Sequence, residues 1–102
     1  MDPFQVLEVF EWVMMEETGI ELVREKKHFL AAKRALRRMN ISLKDLTLRR
    51  KFQDTEGAFT HLCRSYFGSS KYNEFGSSPT VCFSEDTFRR WREGFYERPR
   101  KV

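Results

Sequence analysis

Apolar residues recur at helical spacing along most of this chain. Over residues 3–17, Val6, Leu7, Val9, Phe10, Val13 and Met14 gather on one broad arc, while Glu8, Glu11 and Glu16 follow helical rather than alternating intervals. The pattern predicts a first helix, capped by the side-chain acceptor of Asp2, opened by Pro3 and stopped by Gly19. A strand is the rival reading, because valine and aromatic residues also suit extended chain. Phe4, Trp12 and Met15 lie off the arc, so such a helix is covered on more than one side, by the core or by a partner.

Residues 20–24 read as a short strand or as the first turn of the next helix. From 25 to 39 the helical pattern is clean: Phe29, Ala32, Ala35, Leu36 and Met39 share one face. Lys26, Lys27, Lys33, Arg34, Arg37 and Arg38 occupy the other, with Leu30 the one apolar residue inside the basic arc. Asn40 is expected to end this helix in a left-handed conformation. Ser42, three residues before Asp45, resembles a capping box and predicts a short helix over about 43–52 with Leu43 and Leu46 inward. Leu48 fits that face poorly, which leaves an extended reading of 46–50 open.

Asp54 caps a further helix over 55–67, on which Phe59, Leu62, Cys63 and Tyr66 fall at i, i+3, i+4 and i+7. Gly68 ends it. Residues 67–79 read as a flexible Gly/Ser loop, in which the four residues from Phe67 recur from Phe75. Residues 80–83 read as a strand, paired with 20–24 or 46–50, because a lone strand is unstable. Ser84 caps a last helix over 85–96 carrying Phe88, Trp91 and Phe95, and Pro99 closes it, leaving a basic tail over 97–102. The fold class expected is therefore mainly α or α+β: one small domain spanning 1–102, with three to five helices and one or two short strands.

Composition narrows this picture. A chain of 102 residues builds one modest core. With 15% aromatic residues, ten of them Phe, it has the apolar surface that disordered chains lack. No run of roughly 18 apolar residues occurs, so no membrane-spanning helix and no membrane partner are expected. No Lys or Arg precedes Arg24, which leaves the N-terminus without the basic region of a secretory leader, and an intracellular (cytoplasmic) location is expected. Cys63 and Cys82 are too few for a disulfide framework and read as buried thiols, able to bond only if their elements pack together. Scarce Asn and Gln with high charge is the direction taken by proteins of thermophilic origin.

Charge is laid out in blocks. Residues 1–23 carry six acids and no base; residues 24–51 carry eleven bases and two acids; residues 52–88 carry five acids and two bases; residues 89–102 carry six bases and two acids. The overall +4 is thus the remainder of −6, +9, −3 and +4. Like charges four apart, Lys33 with Arg37 and Arg34 with Arg38, cost a helix a few tenths of a kcal/mol each. A phosphate backbone relieves that repulsion; the competing reading is a solvated basic face neutralised by the acidic first helix. A second basic cluster, Arg89, Arg90, Arg92, Arg98, Arg100 and Lys101, is interleaved with Trp91, Phe95 and Tyr96, a mixture that suits stacking on bases and phosphate contact.

Motifs of known chemistry are missing from the sequence. It holds no phosphate loop, nucleophile elbow or dinucleotide fingerprint. His61 and Cys63 have no paired knuckle, and with His28 and Cys82 they are the only nitrogen or sulfur ligand candidates, so no metal site and no cofactor are expected. The scattered glutamates of the first helix read as an exposed acidic face rather than as catalytic carboxylates, and no enzyme is expected. Residues 25–52 resemble the outline of a helix-turn-helix, with Ile41 and Leu46 at buried positions, although Arg49 replaces an expected apolar residue.

The function expected is a small non-enzymatic binding module that contacts DNA or RNA through Lys26, Lys27, Lys33, Arg34, Arg37 and Arg38, helped by Arg49, Arg50 and Lys51. The alternative is a protein or peptide interaction module, homodimeric in one version, that uses Phe4, Trp12 and Met15 or a groove between helices.

Overall fold

The Asp2 carboxylate accepts from the Gln5 amide at 2.9 Å, and Gln5 Oε1 accepts from the Asp2 amide at 2.8 Å, so the first helix starts where its capping residues stand. The computed structural model describes residues 1–96. Among them it forms α1 (Pro3–Thr18), α2 (Lys26–Ser42), α3 (Leu46–Arg49), α4 (Thr55–Phe67), α5 (Ser70–Phe75), α6 (Pro79–Cys82) and α7 (Glu85–Tyr96). Gly19 closes α1 at φ 72°, its amide donating to the Met15 carbonyl. The Asp54 carboxylate accepts from the Gly57 amide at 2.7 Å and opens α4.

α1, α2 and α4 pack on one another, α6 sits against α2 and α4, and α7 lies across α4, α2 and α3. The radius of gyration is 13.1 Å, the value of about 13 Å expected when a chain this long forms one small domain. The arc predicted for α1 is the buried one: Val6, Leu7, Val9, Phe10, Val13 and Met14 all lie in the core. α2 contributes Ala32, Ala35 and Met39, fully enclosed, with Phe29 and Leu36 half-buried beside them. Aromatic rings tie the layers together, with centroids 5.8 Å apart for Phe10 and Phe83, 6.1 Å for Phe59 and Phe83, and 6.4 Å for Phe59 and Phe88. Such edge-on pairs contribute beyond the area they bury.

The fold is mainly helical, and no strand forms among the described residues. Residues 80–83 are not extended. Pro79 fixes the first turn of α6, the Ser78 hydroxyl accepts from the Val81 amide at 3.2 Å, and Cys82 and Phe83 turn into the core. Burying Phe83 contributes about 2 kcal/mol, whereas four β-prone residues without a partner strand gain no ladder. Residues 20–24 are irregular; half-buried Leu22 rests on the core while Ile20 and Val23 are exposed.

Three local boundaries also differ from expectation. The Gly/Ser segment 67–79 is not one loop: it folds into α5 and the start of α6. Asn40 does not stop α2, since no residue other than glycine adopts a positive φ among the described residues; the helix runs to Ser42, and the Leu43 amide donates to the Met39 carbonyl at 2.9 Å to close the extra turn. Ser42 is therefore not a cap. Asp45 is, accepting from the Thr47 amide at 2.8 Å, and it opens a helix of only four residues. Leu48 is fully buried and Leu46 is 68% exposed, the reverse of the expected facing. Ile41 is exposed too, so the helix-turn-helix outline does not form: both residues that should hold its two helices together point away from the core.

Candidate nucleic-acid interface

α2 is built from strong helix formers, with Ala31, Ala32, Ala35, Leu30, Leu36 and seven Lys, Arg or Met residues among its seventeen. At 1.5 Å per residue it presents a face about 25 Å long. Two cation rows run along it. Lys26, Lys33 and Arg37 form one; Lys27, Arg34 and Arg38 form the other. Between the rows lie Leu30 and Ile41, 45% and 57% exposed. Ile41 belongs to this face only because α2 continues past Asn40; its spacing from Leu30, about three turns along the helix, is the signal that could have found it.

Lys26, Lys27, Lys33, Arg34 and Arg37 are exposed. Lys27 lies 4.0 Å from Glu25, and among the described residues no acid pairs with Lys26, Lys33, Arg34 or Arg37. Two of the four acids of α1 have partners outside α2. Glu11 takes Arg24 in a two-pronged bond of 2.6 and 2.8 Å, and Glu16 takes Arg64 at 3.2 Å. Of the eleven bases in residues 24–51, Arg24 is the one that pairs with the acidic block; the outer face of α2 does not.

Arg38 stands apart from the other five. It is half-buried, and its Nη1 donates to the Phe83 carbonyl at 3.0 Å, tying α2 to the end of α6. Arg49 shares a cleft with Asn40 and Leu43 at the end of α2, while Arg50 and Lys51 are exposed beyond α3.

The second basic cluster divides. Lys71 at 2.6 Å, Arg90 at 3.1 Å and Arg89 all converge on Asp86. The Lys71 and Arg89 hydrogen bonds hold the Asp86 carboxyl down at about 2. Arg89 also reaches Glu93 at 3.5 Å, so Arg89 and Arg90 serve ion pairing on their own surface. Lys71 falls in the segment expected to be a loop, and nothing in its sequence neighbourhood announces the pairing. Arg92 has no acid partner among the described residues and lines two adjoining grooves between α2 and α7. Arg98, Arg100 and Lys101 lie outside the described residues, as do the Phe95 and Tyr96 side chains.

The aromatic residues of the alternative reading are exposed but separated. Phe4 packs against Phe29 with the rings tilted and their centroids 4.8 Å apart. Trp12 and Met15 line a shallow cleft of about 370 Å³ with Leu22, and the Arg64 guanidinium sits 5.3 Å from the Trp12 ring.

Titratable chemistry is spare. His28 Nδ1 accepts from the Glu25 amide at 3.1 Å and His61 Nδ1 from Trp91 Nε1 at 2.9 Å; burial lowers both imidazoles. Cys63 and Cys82 are unbonded thiols in the core, and burial, then the neighbouring Cys63, pushes the Cys82 thiol well up. No three His, Cys, Asp or Glu side chains come together among the described residues, and no described helix is long and apolar enough to cross a membrane. Comparison with family models, with curated proteins and with solved structures gives no match.

Proposed function

We propose that this protein is a non-enzymatic nucleic-acid-binding module whose contact surface is the outer face of α2. The observation that carries the reading is the set of exposed cations on the two rows, Lys26, Lys33, Arg34 and Arg37, with no acid partner among the described residues. Folding alone gives no reason for such a set, because interleaved glutamates would stabilise the helix while like charges one turn apart destabilise it. A polyanion supplies the missing counter-charge and releases its own condensed ions. Arg49, beside the end of α2, lengthens the surface, and Arg50 and Lys51 add charge.

The test is binding of a labelled duplex and a labelled single strand by the full chain, followed by fluorescence anisotropy between about 50 and 200 mM salt. Affinity is expected to fall steeply with salt. Replacing Arg34 and Arg37 together by Gln should lower the logarithmic salt slope by roughly two, one for each phosphate that is no longer neutralised. No binding of either probe at the low-salt end sinks the reading.

A second reading rests on Trp12, 53% exposed, with Met15 at the mouth of the Leu22 cleft. It makes the surface of α1 a contact for a protein, including a second copy of this chain. Light scattering tests the self-association version: a monomer at high concentration removes it.

A further inference from the structure

Arg38 from α2 and Arg92 from α7 line one groove of about 260 Å³, with Ile41 and Ser42 on one side and Phe88 in its floor. Arg92 also lines the adjoining groove, where Ile41 and Ser42 recur beside Leu48. Both arginines are half-buried, and neither has a carboxylate partner among the described residues. Two like charges brought from separate helices into a partly desolvated groove repel, unless an anion joins them. Arg38 already donates from Nη1 to the Phe83 carbonyl, which fixes its stem and leaves its remaining N–H groups. The Arg92 Nε atom is shielded from solvent and has no acceptor among the described residues. A buried donor in that state calls for a missing acceptor.

The acids around these grooves do not fill that role. Glu93 is engaged by Arg89, and the Asp45 carboxylate accepts from the Thr47 amide. Glu85 also lines the first groove but is exposed and pairs with neither arginine. The groove opens beside Ile41, at the end of the cation rows of α2.

We propose that Arg38 and Arg92 clamp one backbone phosphate, so that a nucleic-acid strand lying along α2 crosses onto α7 at this groove. The planar fork of arginine suits the oxygens of a phosphodiester, and the two guanidiniums offer donors from opposite walls. The clamp rests on the nucleic-acid reading for its macromolecule but not for its anion chemistry, which separates the two in an experiment.

Two measurements on the full chain test it. In the first, the side-chain Nε–H resonances of an isotope-labelled sample are followed during titration with inorganic phosphate. The Arg92 and Arg38 signals should shift and saturate together, and in Arg92→Lys, which keeps the charge but lacks the fork, the remaining Arg38 signal should no longer saturate. In the second, oligonucleotide affinity is compared for wild type, Arg92→Gln and Arg92→Lys, each first shown to melt like wild type. Arg92→Gln should weaken binding by roughly three- to tenfold and lower the salt slope by about one, with Arg92→Lys recovering the slope but only part of the affinity. If the oligonucleotide binds and Arg92→Gln changes nothing, the clamp is overturned while the α2 reading stands. If phosphate saturates at Arg92 but no oligonucleotide binds, the anion site stands and the nucleic-acid reading fails. If neither ligand acts at Arg92, the clamp is wrong.

Discussion

The indole Nε1–H of Trp91 donates to Nδ1 of His61 across 2.9 Å, which joins α7 to α4 through an imidazole that must keep that nitrogen unprotonated. Trp91 is buried, and Phe52 stacks on it at 5.7 Å and meets the His61 ring edge-on at 5.4 Å. His28 has the same requirement, its Nδ1 accepting the Glu25 amide. Burial lowers both histidines in the folded chain, while the unfolded chain titrates near the usual value of about 6.5. The unfolded state therefore binds more protons in the window just below that value, so stability is full above it and falls as pH drops through the lowered folded values. Urea unfolding at pH 7.5 and at pH 5 should show a lower midpoint at the acid pH. His61→Gln, which has no proton to gain, should reduce the difference. Equal midpoints for wild type at both pH values would contradict the assignment.

Gly76 supplies a sharper test of backbone. It sits at φ 72°, ψ −160°, a region in which side chains are strongly disfavoured, and it is held there from both sides. Its amide donates to the Tyr72 carbonyl at 2.7 Å, and its carbonyl accepts the Tyr66 hydroxyl at 2.6 Å. Gly76→Ala should cost about 1–3 kcal/mol although a Cβ there meets open space, because the cost is conformational rather than steric contact. Tyr66→Phe removes only the hydroxyl bond and should cost about 1 kcal/mol. Chemical denaturation of the two variants checks both figures.

The cation rows of α2 predict opposite effects on folding and on binding. Arg34→Gln with Arg37→Gln relieves repulsion with Lys33 and Arg38 and breaks no ion pair among the described residues. The fold should gain up to a few tenths of a kcal/mol, or stay unchanged, while oligonucleotide affinity falls. A marked loss of stability in this variant would mean that the row serves the fold.

Cys63 and Cys82 are fully enclosed, and burial holds the Cys82 thiol well above its ordinary range. A thiolate-directed reagent should leave both unmodified in the native protein at neutral pH and label both after addition of denaturant. Fast labelling of Cys82 without denaturant would show that the core opens at α6, and of Cys63 that it opens at α4.

Much of the architecture was legible in the chain itself. The apolar arc of α1, its cap at Asp2 with Pro3 behind it, the stop at Gly19, and the span of α4 from Asp54 to Gly68 rest on near neighbours, and local periodicity and capping chemistry determine them. The exposure of Lys26, Lys27, Lys33, Arg34 and Arg37 followed likewise from the face opposite Ala32, Ala35 and Met39. What only the tertiary structure decided depends on partners distant in sequence. Residues 80–83 have strand-like composition, yet no strand lies beside them among the described residues, and the core rewards burying Cys82 and Phe83 in a helical turn instead. Burial of Leu48 in the short α3 turns Leu46 outward, and α2 runs past Asn40 to Ser42. That Arg38 and Arg92, more than fifty residues apart, line one groove follows from α7 packing across α2. No periodicity encodes that shared groove, because helix period fixes which way a side chain faces and packing alone fixes what it faces.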